Sequence, residues 1–201
     1  MNLANKLTIF RIILVPLMVI VAIINPAGSL LGISTTFWIM GIIFIIASIT
    51  DKLDGYIARS RNQITTFGKF LDPIADKILV LTAMIIFVEF DRLPSWIPII
   101  VIFREFLVSG FRLVASQKGG QVIAASVWGK LKTVTQMIAL VLMFVDSYSY
   151  GYFITNPIDN IGLKILNIIT FIMMTISVIA TIFSGYDYIK NGKDLFKEDS
   201  N

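Results

Sequence analysis

The chain contains neither histidine nor cysteine. Without thiols there can be no disulfide framework, thiolate metal site or cysteine nucleophile. Without imidazole, histidine-dependent triads and most zinc sites are excluded too. Charge is also scarce: Asp, Glu, Lys and Arg make up 15% of the 201 residues, against 56% hydrophobic types. That balance lies well outside the range of soluble domains and argues against a single domain folded in water. Acid–base or metal chemistry must therefore rest on the 13 carboxylates, the 17 Lys and Arg, hydroxyls or the backbone. Oxygen ligands favour hard cations such as magnesium or manganese.

A spanning helix needs about 20 mainly apolar residues. Six stretches meet or approach that requirement, at 7–24, 34–50, 70–90, 96–115, 126–145 and 162–183. The expected fold is thus an all-α integral membrane protein of six transmembrane helices, with a domain over residues 1–190 and a polar tail over 191–201. Arg11 and Pro16 interrupt the first stretch, so a shallow entry or a kink near Pro16 is expected there. No small-residue cleavage site follows Ile24, which favours a retained span over a secretory signal.

Lys and Arg sort by connection. Lys6, Arg11, Arg59, Arg61, Lys69, Arg112, Lys118, Lys130, Lys132, Lys190, Lys193 and Lys197 fall on one side, while the opposite connections offer only Arg92, with Lys164 at the start of the last helix. The positive-inside tendency places both termini and the basic loops in the cytoplasm of a multi-pass cell-membrane protein. Topology and attraction to anionic lipid headgroups account for the net charge of +4, and no nucleic-acid partner is expected. Trp38, Trp96 and Trp128 fall near expected helix ends, as interfacial-belt residues do.

The chemistry concentrates in Asp51-Lys-Leu-Asp54-Gly55-Tyr-Ile-Ala58-Arg59 and Gly68-Lys-Phe-Leu-Asp72-Pro-Ile-Ala-Asp76. If the second helix continues past Thr50, Asp51 and Asp54 share one face at i and i+3. Asp72 and Asp76 do the same at i and i+4 on the third helix. Four carboxylates can then converge between two antiparallel helices at the cytoplasmic side, where ionised groups need partners. Lys52 and Lys77 are each displaced by one residue from the carboxylate face, so divalent cations are the more economical partner. Gly55 and Ala58 adjoin that face, and their small side chains let a ligand approach the helix.

These residues resemble the CDP-alcohol phosphotransferases, whose signature runs D-x-x-D-G-x-x-A-R and then G-x-x-x-D-x-x-x-D. All its fixed positions are present, as Asp51, Asp54, Gly55, Ala58, Arg59, Gly68, Asp72 and Asp76. The resemblance implies a membrane enzyme that moves the phosphoalcohol part of a CDP-linked donor to an acceptor alcohol and releases CMP. It implies two divalent cations, magnesium or manganese, held by Asp51, Asp54, Asp72 and Asp76, with Asp76 also the general base. Such a metal pair, about 3.5 to 4 Å apart, can stabilise the attacking and leaving oxygens of a displacement. Nucleotide contacts are implied at Gly55, Ala58, Gly68 and Arg59, and also at Asp54.

A narrower resemblance, to the bacterial branch that makes phosphatidylglycerophosphate, rests on Asn5-Lys-Leu-Thr8-Ile-Phe-Arg11, Arg104-Glu105, and Gly129-Lys-Leu-Lys132-Thr133 with Gln136-Met137. It implies CDP-diacylglycerol as donor, sn-glycerol 3-phosphate as acceptor, membrane lipids as surroundings, and room for a homodimer. Asn5, Thr8 and Arg11 are expected to rim the CDP-diacylglycerol pocket. Arg104 and Arg112 lie on one general face of the fourth helix, and Lys130 and Lys132 open the fifth. Together they form an expected acceptor-phosphate cluster, with Glu105 orienting an arginine.

Two alternatives compete. Another member of the family would keep the donor site: making phosphatidylserine or cardiolipin would require a different anion arrangement, whereas making phosphatidylinositol phosphate would use a similar one. A divalent-cation transporter would carry its polar path onward, yet the second and third helices become uniformly apolar beyond the aspartates.

Overall fold

The computed structural model describes residues 3–60, 66–117 and 127–192, with side chains at all of them except 3, 4, 52, 54–60, 66–70, 72, 73, 116, 117, 191 and 192. The described chain is helical apart from one small hairpin. Its elements are α1 (Leu3–Ile24), β1 (Ser29–Leu30), β2 (Ile33–Ser34), α2 (Thr35–Ser60), α3 (Thr66–Glu89), α4 (Trp96–Gln117), α5 (Val127–Val145), α6 (Tyr152–Thr155) and α7 (Ile161–Gly192). Each expected span falls on one long helix, to within a residue at the starts of α2 and α5 and at the end of α3. α1 runs unbroken as one helix through Pro16.

Two features depart from the sequence reading. The last helix continues to Gly192 rather than ending at 183, because Ser184, Gly185 and Tyr188 pack inward and do not terminate it. In the connection after α1, Ser29 pairs with Ser34 and Leu30 with Ile33. Leu31 (φ 57°) and Gly32 (φ 79°) close this ladder in the left-handed region that a two-residue type I′ turn requires.

Unlike those of a soluble bundle, the helices are apolar on their outward faces as well as on their inward ones. On α2, Phe37, Met40, Phe44 and Ala47 are buried at helical spacing while Ile42, Ile45, Ile46 and Ile49 are exposed. α1 exposes Phe10, Ile13, Leu17 and Ile20, and α4 exposes Ile99, Phe103 and Phe106. So much outward apolar surface suits a hydrocarbon surround. Asn5–Ile24, Val127–Val145 and Ile161–Lys190 are long and apolar enough to cross a membrane, and Thr35–Asp51 is apolar but shorter. Arg104, Glu105 and Arg112 give α4 charges that must face a polar interior rather than lipid.

The core lies where α2, α3 and α5 meet. Phe87 and Phe144 approach to 4.7 Å between ring centroids, and Phe44 and Phe144 to 5.4 Å. Gly41 makes room for this contact, since a Cβ there would sit 3.0 Å from that of Phe144. α1 packs against α2 and α3, while α7 packs against α4 and α5.

At one end, the connections after α1, α3 and α5 are bonded together. Ser147 Oγ donates to Gly32 O at 3.0 Å, Tyr150 N–H donates to Arg92 O at 2.9 Å, and the Arg92 guanidinium donates to the Asp146 carbonyl. Arg92 also lies 4.4 Å over the Phe37 ring. The buried Asp146 carboxylate accepts from Tyr148 N–H at 3.0 Å and from Asn167 Nδ2 at 2.8 Å, which fastens α7 to the same end. Burial pushes the Asp146 carboxyl up from its ordinary value, against the pull of these hydrogen bonds and of Arg92. Asn167→Ala should therefore lower stability by about 1.5–3 kcal/mol by removing a hydrogen bond to the buried Asp146 carboxylate. Thermal unfolding in detergent would read that loss, with the activity per folded molecule unchanged.

Candidate active site

The opposite end gathers the expected site residues. Asn5, Thr8 and Arg11 follow one another at three-residue spacing on α1 and are buried against its neighbours. Arg11 Nη1 lies 2.6 Å from Asp51 Oδ1 on α2. The Arg11 side chain is fully buried while that of Asp51 remains 40% exposed, so the arginine anchors one carboxylate oxygen from behind and leaves the group open in front. Asp51 thus has a protein partner on another helix, distinct from the lysines near it in sequence.

Asp76, partly buried on α3, is within electrostatic reach of Asp51, Arg11, Lys132 and Glu105. That proximity joins the α1–α2 pair to the cationic cluster on α4 and α5. The backbones of Asp54, Gly55, Ala58 and Arg59 continue α2, and those of Gly68 and Asp72 precede Asp76 on α3. Their side chains lie outside the described residues. Among the described residues no three carboxylates come together as a metal site.

Asp76 also lines a cavity of about 650 Å³, together with Arg104, Glu105, Arg112, Lys130, Lys132 and Tyr188. All four expected acceptor-phosphate residues therefore share one chamber with the expected base. Glu105 is its organising acid. Its Oε1 accepts from Arg104 Nη1 at 2.8 Å and from Lys132 Nζ at 2.6 Å, and Lys77 Nζ stands 3.6 Å from Oε2. Lys77 also donates to Ser109 Oγ, whose own hydrogen goes to the Glu105 carbonyl at 2.6 Å. The expected orienting role of Glu105 falls on Arg104 rather than Arg112. Arg112 Nη2 donates instead to Tyr188 Oη at 2.7 Å.

α7 supplies two residues the sequence reading missed. Ser184 Oγ accepts from Arg104 Nη2 at 2.5 Å, and Tyr188 meets both arginines. The available signal is polar residues spaced by four, but they lie just beyond the apolar stretch that ends at 183. Trp128, expected at the membrane interface, stacks on Phe183 with centroids 4.9 Å apart.

The family model for CDP-alcohol phosphatidyltransferase matches residues 1–183. A Bacillus subtilis protein named CDP-diacylglycerol–glycerol-3-phosphate 3-phosphatidyltransferase is 38% identical over 98% of this chain and 97% of its own length. Proteins of that name from Rickettsia typhi and Haemophilus influenzae are each 37% identical, covering 97% and 96% of this chain and 99% and 94% of their own. The aspartate register, the cavity and this full-length similarity agree: the chain belongs to the CDP-alcohol phosphatidyltransferase family.

Proposed function

We propose that this protein transfers the phosphatidyl group from CDP-diacylglycerol to sn-glycerol 3-phosphate, giving phosphatidylglycerophosphate and CMP. The observation that carries the reading is the single cavity in which Asp76 faces Arg104, Arg112, Lys130 and Lys132. A carboxylate base beside a cationic chamber suits an acceptor that carries both a hydroxyl and a phosphate. The names of the relatives specify the same pair of substrates.

The acceptor phosphate lies among the cations. Arg104 Nε is buried and has no hydrogen-bond partner among the described residues, so one donor of its fork is left for an anion. Asp76 takes the proton of the acceptor hydroxyl as its oxygen bonds to the lipid-linked phosphorus, and the bond from that phosphorus to CMP breaks. Arg59 and the small Gly55 and Ala58 hold the nucleotide in this reading, with Asn5 and Thr8 supporting that end from α1.

Asp51 and Asp76, on two helices and repelling one another, fit a divalent cation site, and Asp54 and Asp72 are the residues that would complete it. Two bound magnesium or manganese ions would supply electrostatic stabilisation to the diphosphate. Arg11 fixes the direction in which Asp51 presents its free oxygen. The reading places six helices across the cell membrane, with this end, both termini and the tail on the cytoplasmic face. Nucleotide and glycerol phosphate then arrive from water while the acyl chains stay in lipid.

The test is CMP release by the purified protein given CDP-diacylglycerol and a panel of acceptors. Glycerol 3-phosphate should be preferred, and activity should vanish with chelator and return with magnesium or manganese. Preference for another acceptor would overturn the assignment. Asp76→Asn should lower turnover by about 10²- to 10⁴-fold in a protein that still inserts and folds. Glu105→Gln should destabilise by about 3–5 kcal/mol because Lys132 and Arg104 lose their counter-charge. Adding Lys132→Met should restore part of that loss, measured as a coupling in a double-mutant cycle.

A further inference from the structure

Arg104 and Arg112 are eight residues apart on α4, a rise of about 12 Å with a rotation of roughly 80° for an ideal helix. Helix geometry alone does not aim them at one point. Yet their guanidinium carbons lie 5.9 and 5.6 Å from the centroid of the same ring, that of Tyr188 on α7. Tyr188 is 1% exposed, lines the cavity, and accepts a hydrogen bond from Arg112 at 2.7 Å. One turn earlier, Ser184 holds the other arginine.

We propose that Tyr188 is a specificity-determining positioning residue, which gathers Arg104 and Arg112 on its ring and hydroxyl into one site for the phosphate-monoester dianion of the acceptor. The proposal rests on the reading above that this cavity takes a phosphorylated alcohol. Two like charges held near each other repel, and the electron-rich face of an aromatic ring offsets part of that cost. A dianion between them relieves the rest, whereas an uncharged alcohol does not. Having accepted from Arg112, the phenol keeps its own hydrogen to donate to an anion. Tyr188 and Ser184 both lie beyond residue 183, where the family match ends. That position suits a role in choosing the acceptor rather than in the donor chemistry shared across the family.

Tyr188→Phe keeps the ring and loses the hydroxyl, while Tyr188→Leu loses both. In Tyr188→Phe the KM for glycerol 3-phosphate should rise about five- to tenfold, from loss of one hydrogen bond to a charged group. Tyr188→Leu should raise it about another threefold. The KM for CDP-diacylglycerol should stay within about twofold on this separation of ground-state contacts. Preference for glycerol 3-phosphate over glycerol should fall in step with the acceptor effect. Equal shifts in both KM values, or none in folded Tyr188→Phe, would overturn the proposal.

Calorimetric binding of glycerol 3-phosphate to the full chain without donor gives a reading independent of turnover. Weaker binding to Tyr188→Phe supports the proposal and equal binding overturns it. A wild-type protein that binds glycerol 3-phosphate but does not release CMP would overturn the proposed reaction and leave the arginine site standing. One that binds none would overturn both.

Discussion

Glu105 sits midway along α4 and takes cations from three helices: Arg104 beside it, Lys132 from α5, and Lys77 from α3 at the longer distance of 3.6 Å. Placing several cations inside an apolar helical bundle is costly unless an acid stands among them. One carboxylate cannot neutralise three cations, and Arg112 and Lys130 line the same cavity. Glu105 therefore does two things at once. It makes the cluster compatible with folding, and with Asp76 as the second acid of the cavity it still leaves an excess of positive charge that suits a bound anion.

The two ends of the bundle handle polar groups in opposite ways. Around Asp146 both carboxylate oxygens have donors, Asn167 bonds through both ends of its amide, and Arg92 is engaged by a carbonyl and a ring. That network closes on itself and ties the connections to α7. Around Asp76 the balance stays open: two carboxylates repel one another, cations outnumber acids, and a buried Arg104 nitrogen lacks a partner among the described residues. A closed network supplies rigidity, and an open one supplies affinity for something absent from the chain.

Much of this was legible in the sequence because it depends on local spacing. Hydrophobic run length located the helices, and the register of Asp51 and Asp76 with their neighbours pointed to the end where the Arg11–Asp51 pair and the cationic cavity lie. Arg104, Arg112, Lys130 and Lys132 were grouped because charges deep in apolar segments need a shared polar interior, and one cavity does hold them. What local spacing could not show is how distant helices meet. The Arg11–Asp51 pair joins residues forty positions apart and depends on how α1 crosses α2. The arginine contacts of Ser184 and Tyr188 depend on α7 continuing past the point where its apolar run ends. The hairpin after α1 rests on backbone conformation at Leu31 and Gly32, and an exposed leucine with positive φ gives no advance notice of itself.

α7 shows why hydropathy could not even choose the inward face. Its buried side carries Asn167, Thr170, Ser177, Thr181, Ser184 and Tyr188 beside Met174, Val178 and Ala180, while its exposed side carries Ile165, Ile169, Ile172, Ile179 and Ile182. In water those isoleucines would be the residues to bury. In hydrocarbon, burying an isoleucine gains little, so the inward face is selected by residues small enough for close packing and able to hydrogen-bond. Thr170, Thr175 and Thr181 donate their hydroxyls to carbonyls of the preceding turn, which lowers the cost of a polar seam, and Thr175 also meets Tyr150 Oη at 2.9 Å. That seam runs from the Asn167–Asp146 contact at one end to the Ser184 and Tyr188 contacts at the other. The helix that locks the distal end thus also forms a wall of the cavity, and a shift of α7 along its axis would disturb the stability of one end and the arginines of the other together.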